Sequence, residues 1–313
     1  LYQDAGLEVR EDAAGNTFAR WVGSNASLAA VGTGSHTDAI PHAGMYDGTL
    51  GVLGALEAIR ALQRAGFQPA RSIELLMFTS EEPTRFGIGC LGSRLLAGSL
   101  DPDKADGFCD KDGRTLKEIR TEAGFKGSLQ DVLLPKGYYD TWVELHIEQG
   151  PLLERHKIDI GVVTHIAAPA SYRFILEGFG GHAGALLMPD RRDALCAAAE
   201  VILAVEQAAL ATGAIDTVAT TGTVQVHPGA VNSVPSRVEL ALDLRDTDPV
   251  RRDAAMANIR TANQRIAQAR GVMIREQEIN SDAPASSEER ILAAIESACT
   301  VHALSHQRMV SRA

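Results

Sequence analysis

Two apolar runs, residues 28–33 and 72–79, each break off at polar side chains: Gly34-Ser35-His36 after the first, Ser80-Glu81-Glu82 after the second. Between them Leu50, Leu53, Leu56, Ile59 and Leu62 recur at three-residue steps and Gly66 closes the run, which predicts a helix crossing between two buried strands. Strands that are apolar throughout pair in parallel with both faces covered, and such sheets bind ligands at the strands' carboxyl ends. His36 and the Glu81-Glu82 pair are therefore expected at one site. A third run, residues 141–147, brings His146 to a comparable position. The fold class expected is α/β, a mixed and mainly parallel sheet with helices on both faces.

Near residue 167 the order of elements changes. Residues 171–177, 217–226, 234–245 and 272–279 read as strands and residues 190–210 and 249–270 as helices, in the order βαββαβ, a ferredoxin-like split βαβ sandwich. Residues 282–287 (DAPASS) read as a return linker, followed by a helix over 288–299. The expectation is a first domain of residues 1–166 and 281–313, with residues 167–280 inserted as a second.

Thirty Lys and Arg against forty Asp and Glu give a net charge of −10, which offers no electrostatic support for nucleic acid or an anionic membrane as partner. Residues 195–214 are the most apolar long stretch, but Glu200, Glu206 and Gln207 interrupt it, so no transmembrane segment is expected. Four cysteines, Cys90, Cys109, Cys196 and Cys299, form no CxxC pair and read as buried free thiols. No GxSxG elbow occurs, and Gly32-Thr33-Gly34-Ser35 lacks the Lys-Ser/Thr of a phosphate loop.

The polar tips carry the chemistry. His36 is followed two residues on by Asp38, able to take the second ring N–H and orient the imidazole. Asp47-Gly48 comes eleven residues after His36, and the glycine permits a tight turn that projects the carboxylate inward, where its two oxygens can bridge two cations. An HxD followed by DG is common in surface loops, but adjacent carboxylates after an apolar strand repel each other unless a cation neutralises them. A division of labour fits them: one carboxylate binds metal while its neighbour takes a proton from metal-bound water. His36, Asp47, Glu82 and His146 together suit borderline divalent ions, in a dinuclear site short of a fifth ligand. In the inserted domain His182, within Gly180-Gly181-His182-Ala183-Gly184, and Asn232 can hydrogen-bond a developing oxyanion. Arg245 is a fork-shaped donor suited to a substrate carboxylate, but its position at a strand end favours an ion pair with Asp243, Asp246 or Asp248. His42, His156, His165, His227, His302 and His306 show no partner pattern.

The motifs GSHTDAIPHAGMYDG, FTSEEPTRFGIGCLGSRLLAG, ELHIEQGPLLE, GGHAGALLMPDRRDA and PGAVNSVPSRVELALDLRD, in this order, resemble the dinuclear-metal amidohydrolases related to aminoacylases. That family includes allantoate amidohydrolases, N-carbamoyl-L-amino-acid hydrolases, β-ureidopropionases and plant ureidoglycolate amidohydrolases, and the wording TSEEPTRFG, THIAAPAS and GGHAGALLMP is most similar to the last group. The resemblance implies that His36, Asp47, Glu82 and His146 hold two divalent ions, Mn2+ in the plant group with Zn2+ as the alternative, with Asp47 bridging and Glu81 as general base. It implies that His182 and Asn232 polarise the scissile carbonyl and are lent by the partner in a homodimer through a lid domain, that Arg245 grips the substrate carboxylate, and that Gln149 is a polar neighbour of the site. It further implies a small ureido substrate, (S)-ureidoglycolate, hydrolysed at its C–N bond in purine catabolism, with allantoate or an N-carbamoyl-amino acid as near rivals and a non-catalytic dimerisation partner as the rival of another class. The family's fifth ligand is a His that follows the segment MVSRA, so the chain is expected to lack a portion at each end. The endoplasmic reticulum is the compartment the plant group implies.

Overall fold

The structure, a computed structural model, describes residues 1–42 and 44–312; Ala43, inside the GSHTDAIPHAGMYDG motif, and Ala313 lie outside the described residues. Contacts divide the chain into two compact units, Leu1–Gln149 and Gly150–Ala313.

The first unit runs β1 (Glu8–Glu11), β2 (Thr17–Trp21), β3 (Ala30–His36), α1 (Thr49–Arg64), β4 (Ile73–Phe78), α2 (Leu91–Ala97), α3 (Pro102–Asp106), α4 (Leu116–Glu122) and β5 (Tyr139–Val143). Its five-stranded sheet has the order β1-β2-β4-β3-β5. The β3–β4 and β3–β5 pairs are parallel and the β1–β2 and β2–β4 pairs antiparallel, so the sheet is evenly mixed rather than mainly parallel. Adjacent residues face opposite sides of a strand, and both sides carry apolar side chains here, with the Arg20–Glu74 ion pair beside Phe18 and Leu76 on one of them. Leu75 of β4 and Ala19 of β2 pack with Val52, Leu56 and Ile59 of α1, while their neighbours Leu76 and Phe18 pack with Leu91, Leu95 and Leu96 of α2. Helices thus cover both faces, and the parallel central strands point their carboxyl ends the same way, carrying His36 and the Glu81-Glu82 turn to one rim.

The third run is shorter than its apolar length suggests. β5 pairs with β3 only as far as Val143, and beyond it the chain leaves the ladder, joined to β3 by the Ser35 hydroxyl donating to Glu144 Oε1 at 2.6 Å. His146 is therefore on the segment after the strand.

The second unit comprises α5 (Leu152–His156), β6 (Ile160–Ile166), β7 (Ala168–Glu177), β8 (Gly181–His182), α6 (Ala194–Leu210), β9 (Val218–His227), β10 (Ser233–Val234), β11 (Arg237–Asp246), α7 (Pro249–Arg270), β12 (Met273–Ser281), β13 (Ala285–Ser286), α8 (Glu289–Val301) and β14 (His306–Ser311). The antiparallel sheet β12-β7-β11-β9 with α6 and α7 has the expected βαββαβ order. Its core joins Phe174, Leu176, Leu240 and Leu244 of the sheet to Val201 and Val205 of α6 and Met256 and Ile259 of α7. α6 starts at Ala194, later than the pattern suggested, because Asp193 caps it by accepting from the Leu195 and Cys196 N–H groups. The strand expected over 234–245 is split at Pro235 into β10 and β11. β6 pairs with β13 antiparallel and with β14 parallel, so the strands that bracket the βαββαβ insert join each other. Among the described residues no helix is long and apolar enough to cross a membrane. Of the four cysteines only Cys299 is buried; Cys90 is half-buried and Cys109 and Cys196 are exposed.

Candidate metal centre

Asp47 is the buried centre of the rim of the first unit, 2 % exposed. Its Oδ1 lies 3.3 Å from His146 Nε2 and 3.9 Å from His36 Nε2, and its Oδ2 accepts from the Gln149 side-chain amide at 2.7 Å. The two imidazole rings face each other with centroids 6.0 Å apart. Glu81 Oε2 is 3.6 Å from His36 Nε2, and Glu81 and Glu82 stand with His36 in one cluster of ligand atoms, as His36, Asp47 and His146 do in another, all within 4.8 Å. The expected residues of the first unit are thus brought together, with His36 common to both clusters.

Hydrogen bonding sets what these rings can do. His36 Nδ1 lies 2.7 Å from the Asp38 main-chain carbonyl and His146 Nδ1 2.9 Å from that of Ile147. A carbonyl only accepts, so both rings carry their proton on Nδ1 and present a bare Nε2 lone pair to Asp47. Lone pairs facing a buried carboxylate repel unless a cation stands among them, and two imidazole nitrogens with carboxylates and no thiolate suit a divalent ion. The residues present therefore fit a metal. Burial raises the pKa of Glu82, and the charges of Glu81 and Asp47 raise it further, the signature of carboxylates gathered without a counter-charge.

The backbone shapes this cluster. Gly48 follows Asp47 at φ 62°, and a β-carbon there would come within 2.6 Å of the His36 ring. Asp38 orients the site differently from the sequence expectation: its carboxylate is 3.7 Å from His36 Nδ1, and the ring N–H goes to its main-chain carbonyl instead. The carboxylate accepts from the Glu81 N–H at 3.2 Å and the Glu82 N–H at 3.0 Å, which fixes the acidic turn. Gln149, expected near substrate, is engaged on Asp47. Two side chains were not anticipated. Cys90 donates to Glu81 Oε1 at 3.3 Å, and Glu144 is tied to Ser35. An acid inside the apolar run before His146 was the available signal for Glu144. Although that residue keeps an exposed face, the protein around its carboxyl desolvates it and pushes its pKa up.

In the second unit, His182 pairs with Ser233 across β8 and β10, and the Asn232 carbonyl accepts from the Ala183 N–H at 2.8 Å, so these two residues are neighbours. His182 Nδ1 accepts from the Gly184 N–H at 3.2 Å, which places its proton on Nε2, the opposite tautomer from His36 and His146. Phe179, Leu187, Met188 and Val231 are exposed apolar residues of the same loops. Arg245 is not with them. His182 and Asn232 are near the Arg237 end of β11, and Arg245 is eight residues further along it, roughly 27 Å at 3.4 Å per residue. There Arg245 donates to Asp243 at 3.0 Å and to the Arg312 carbonyl at 3.0 Å, the ion-pair alternative.

Residues 32–312 match the model of Peptidase family M20/M25/M40. The chain belongs to this family. A ureidoglycolate hydrolase of Oryza sativa subsp. japonica is 53 % identical over 318 residues, 100 % of this chain and 66 % of the relative. One from Arabidopsis thaliana is 52 % identical, over 99 % of this chain and 66 % of the relative. The chain thus spans 66 % of the length of these curated relatives. Crystal structures of AtUAH in complex with (S)-hydroxyglycine and with glyoxylate share the family fold with this chain, each at TM-score 0.94 and 50 % identity, covering 100 % of this chain and 75 % of theirs.

Proposed function

We propose that this family member hydrolyses the ureido C–N bond of (S)-ureidoglycolate, as part of purine catabolism, with two divalent cations held by His36, Asp47, Glu82 and His146. The observation that carries the reading is the pair of bare Nε2 lone pairs turned on one buried carboxylate, with Glu81 beside them. Cations there, Mn2+ by likeness to the plant enzymes, would supply Lewis acidity that polarises the carbamoyl oxygen and eases loss of a proton from water. Glu81 takes that proton as water adds to the carbamoyl carbon, then returns it to the leaving nitrogen. The C–N bond breaks to give a carbamate, which yields ammonia and carbon dioxide, and hydroxyglycine, which yields glyoxylate and a second ammonia. The relative crystallised with (S)-hydroxyglycine and glyoxylate holds these two species, which supports the choice of substrate.

The βαββαβ domain of residues 167–280 acts as an inserted lid and dimerisation domain in this reading, with the remainder forming the catalytic domain. His182, protonated on Nε2, and the Asn232 amide donate to the developing oxyanion. Arg245 binds the substrate carboxylate, which requires it to exchange Asp243 for the ligand. A homodimer is supported by the separation along β11: one small substrate cannot touch Asn232 and Arg245 of the same chain, so one of them comes from a second copy. The endoplasmic reticulum is the compartment proposed with this activity. The test is ammonia release by the Mn2+-loaded protein from (S)-ureidoglycolate, allantoate and an N-carbamoyl-amino acid in parallel. The reading requires ureidoglycolate to be turned over fastest, and fails if either rival is.

A further inference from the structure

We infer that Cys90 is a positioning residue for the general base, its thiol holding the Glu81 carboxylate in place; the inference rests on the role given to Glu81 above. Two hydrogen bonds join the residues, the Cys90 N–H to the Glu81 carbonyl at 2.5 Å and the thiol to Glu81 Oε1 at 3.3 Å. Glu81 is thus held at its main chain and at its carboxyl by one neighbour, and Oε2 is left turned towards His36 Nε2 at 3.6 Å. A carboxylate without such a partner would sample several rotamers at the half-open rim.

The backbone gives a second, independent reason to assign the thiol a task. Cys90 stands immediately before α2 at φ 58° and ψ 31°, the left-handed region that favours glycine and penalises a β-carbon. Local geometry alone would select Gly at this point, also an acceptable residue before a helix. A side chain kept against that preference beside an active carboxylate is the pattern of backbone strain retained for function.

The same fact supplies the variant. Cys90→Gly removes the thiol and relieves the backbone, so it separates positioning from folding. With the Mn2+-loaded protein and (S)-ureidoglycolate, C90G is expected to lower kcat roughly tenfold, the worth of one hydrogen bond to a charged group. KM, bound Mn2+ and melting temperature should stay close to the parent values, and Cys90→Ser, which restores a donor, should recover most of kcat. A C90G protein with parental kcat overturns the inference, as does one whose kcat loss C90S fails to recover. The S–H stretching band, assigned by its disappearance in C90G, reads the contact without any substrate. Glu81→Ala should shift it to higher frequency, as a thiol that loses a carboxylate acceptor does, and an unmoved band overturns the contact. If the parent does not hydrolyse ureidoglycolate, the substrate reading fails while this band still decides the contact.

Discussion

Gly48→Ala tests the architecture of the metal centre through a single methyl group. Gly48 has φ 62° and ψ −42°, and the Thr49 N–H reaches back across it to the Asp47 carbonyl at 2.6 Å, a tight γ-turn that aims the Asp47 side chain inward. A β-carbon would lie 2.5 Å from the His36 carbonyl oxygen and 2.6 Å from ring atoms Cε1 and Nδ1. Neither can retreat cheaply, since the carbonyl belongs to β3 and Nδ1 is bonded to Asp38. The backbone conformation costs about 1–3 kcal/mol for a non-glycine residue, and forcing a methyl into a packed site about as much again, so a total of roughly 3 kcal/mol is reasonable. At ~2–4 °C per kcal/mol for a folding unit of this size, the metal-free protein should melt about 6–12 °C lower. Displacing the His36 ring should also weaken Mn2+ binding at least tenfold by calorimetric titration. A variant with the parent's melting temperature and Mn2+ affinity would show that His36 and Asp47 are not held together as described.

Glu81→Gln should leave bound Mn2+ unchanged by elemental analysis and reduce kcat by a factor of about a hundred or more, since the amide cannot accept the proton; near-parental kcat would refute the base assignment. Arg245→Lys keeps the charge but loses the fork, so KM for ureidoglycolate should rise about tenfold with kcat nearly constant, and an unchanged KM would remove Arg245 from the substrate. Metal-free protein should lose stability as pH rises above the ordinary carboxylate range. Asp12, Glu82 and Glu144 have folded pKa values raised mainly by burial, so the folded state holds protons that the unfolded state has released, and stability falls as pH climbs through those raised values. Asp246, Glu289 and Glu296 are lowered and act oppositely, only at more acidic pH. Chemical denaturation at about pH 5 and 7 checks the sign; greater stability at the higher pH would contradict it.

The cluster of polar side chains is legible in the sequence because apolar strands advertise their ends: His36 is the last residue of β3, and Glu81-Glu82 stand three and four residues beyond the end of β4. His146 stands beside Asp47 on the segment after β5 rather than at a strand's end, since the apolar length of a run does not say where a ladder stops. The sequence could not show which oxygen of Asp38 meets His36, because spacing does not distinguish a main-chain carbonyl from a carboxylate two bonds away. Gln149 on Asp47 and Cys90 on Glu81 depend on positive-φ backbone at non-glycine residues, Gln149 at 52° and Cys90 at 58°, which composition hides. β14 carries no such signal: His306, Gln307 and Arg308 break the apolar pattern, and only pairing with β6 makes the segment a strand.

If His36, Asp47, Glu82 and His146 share two cations, anomalous diffraction at the manganese edge from Mn2+-loaded crystals will locate both. Two peaks are expected on either side of the Asp47 carboxylate, each within about 2.3 Å of nitrogen or oxygen ligands from this set, the imidazoles bound through Nε2. Manganese bound elsewhere, or through Nδ1 of either ring, would rule out this ligand set.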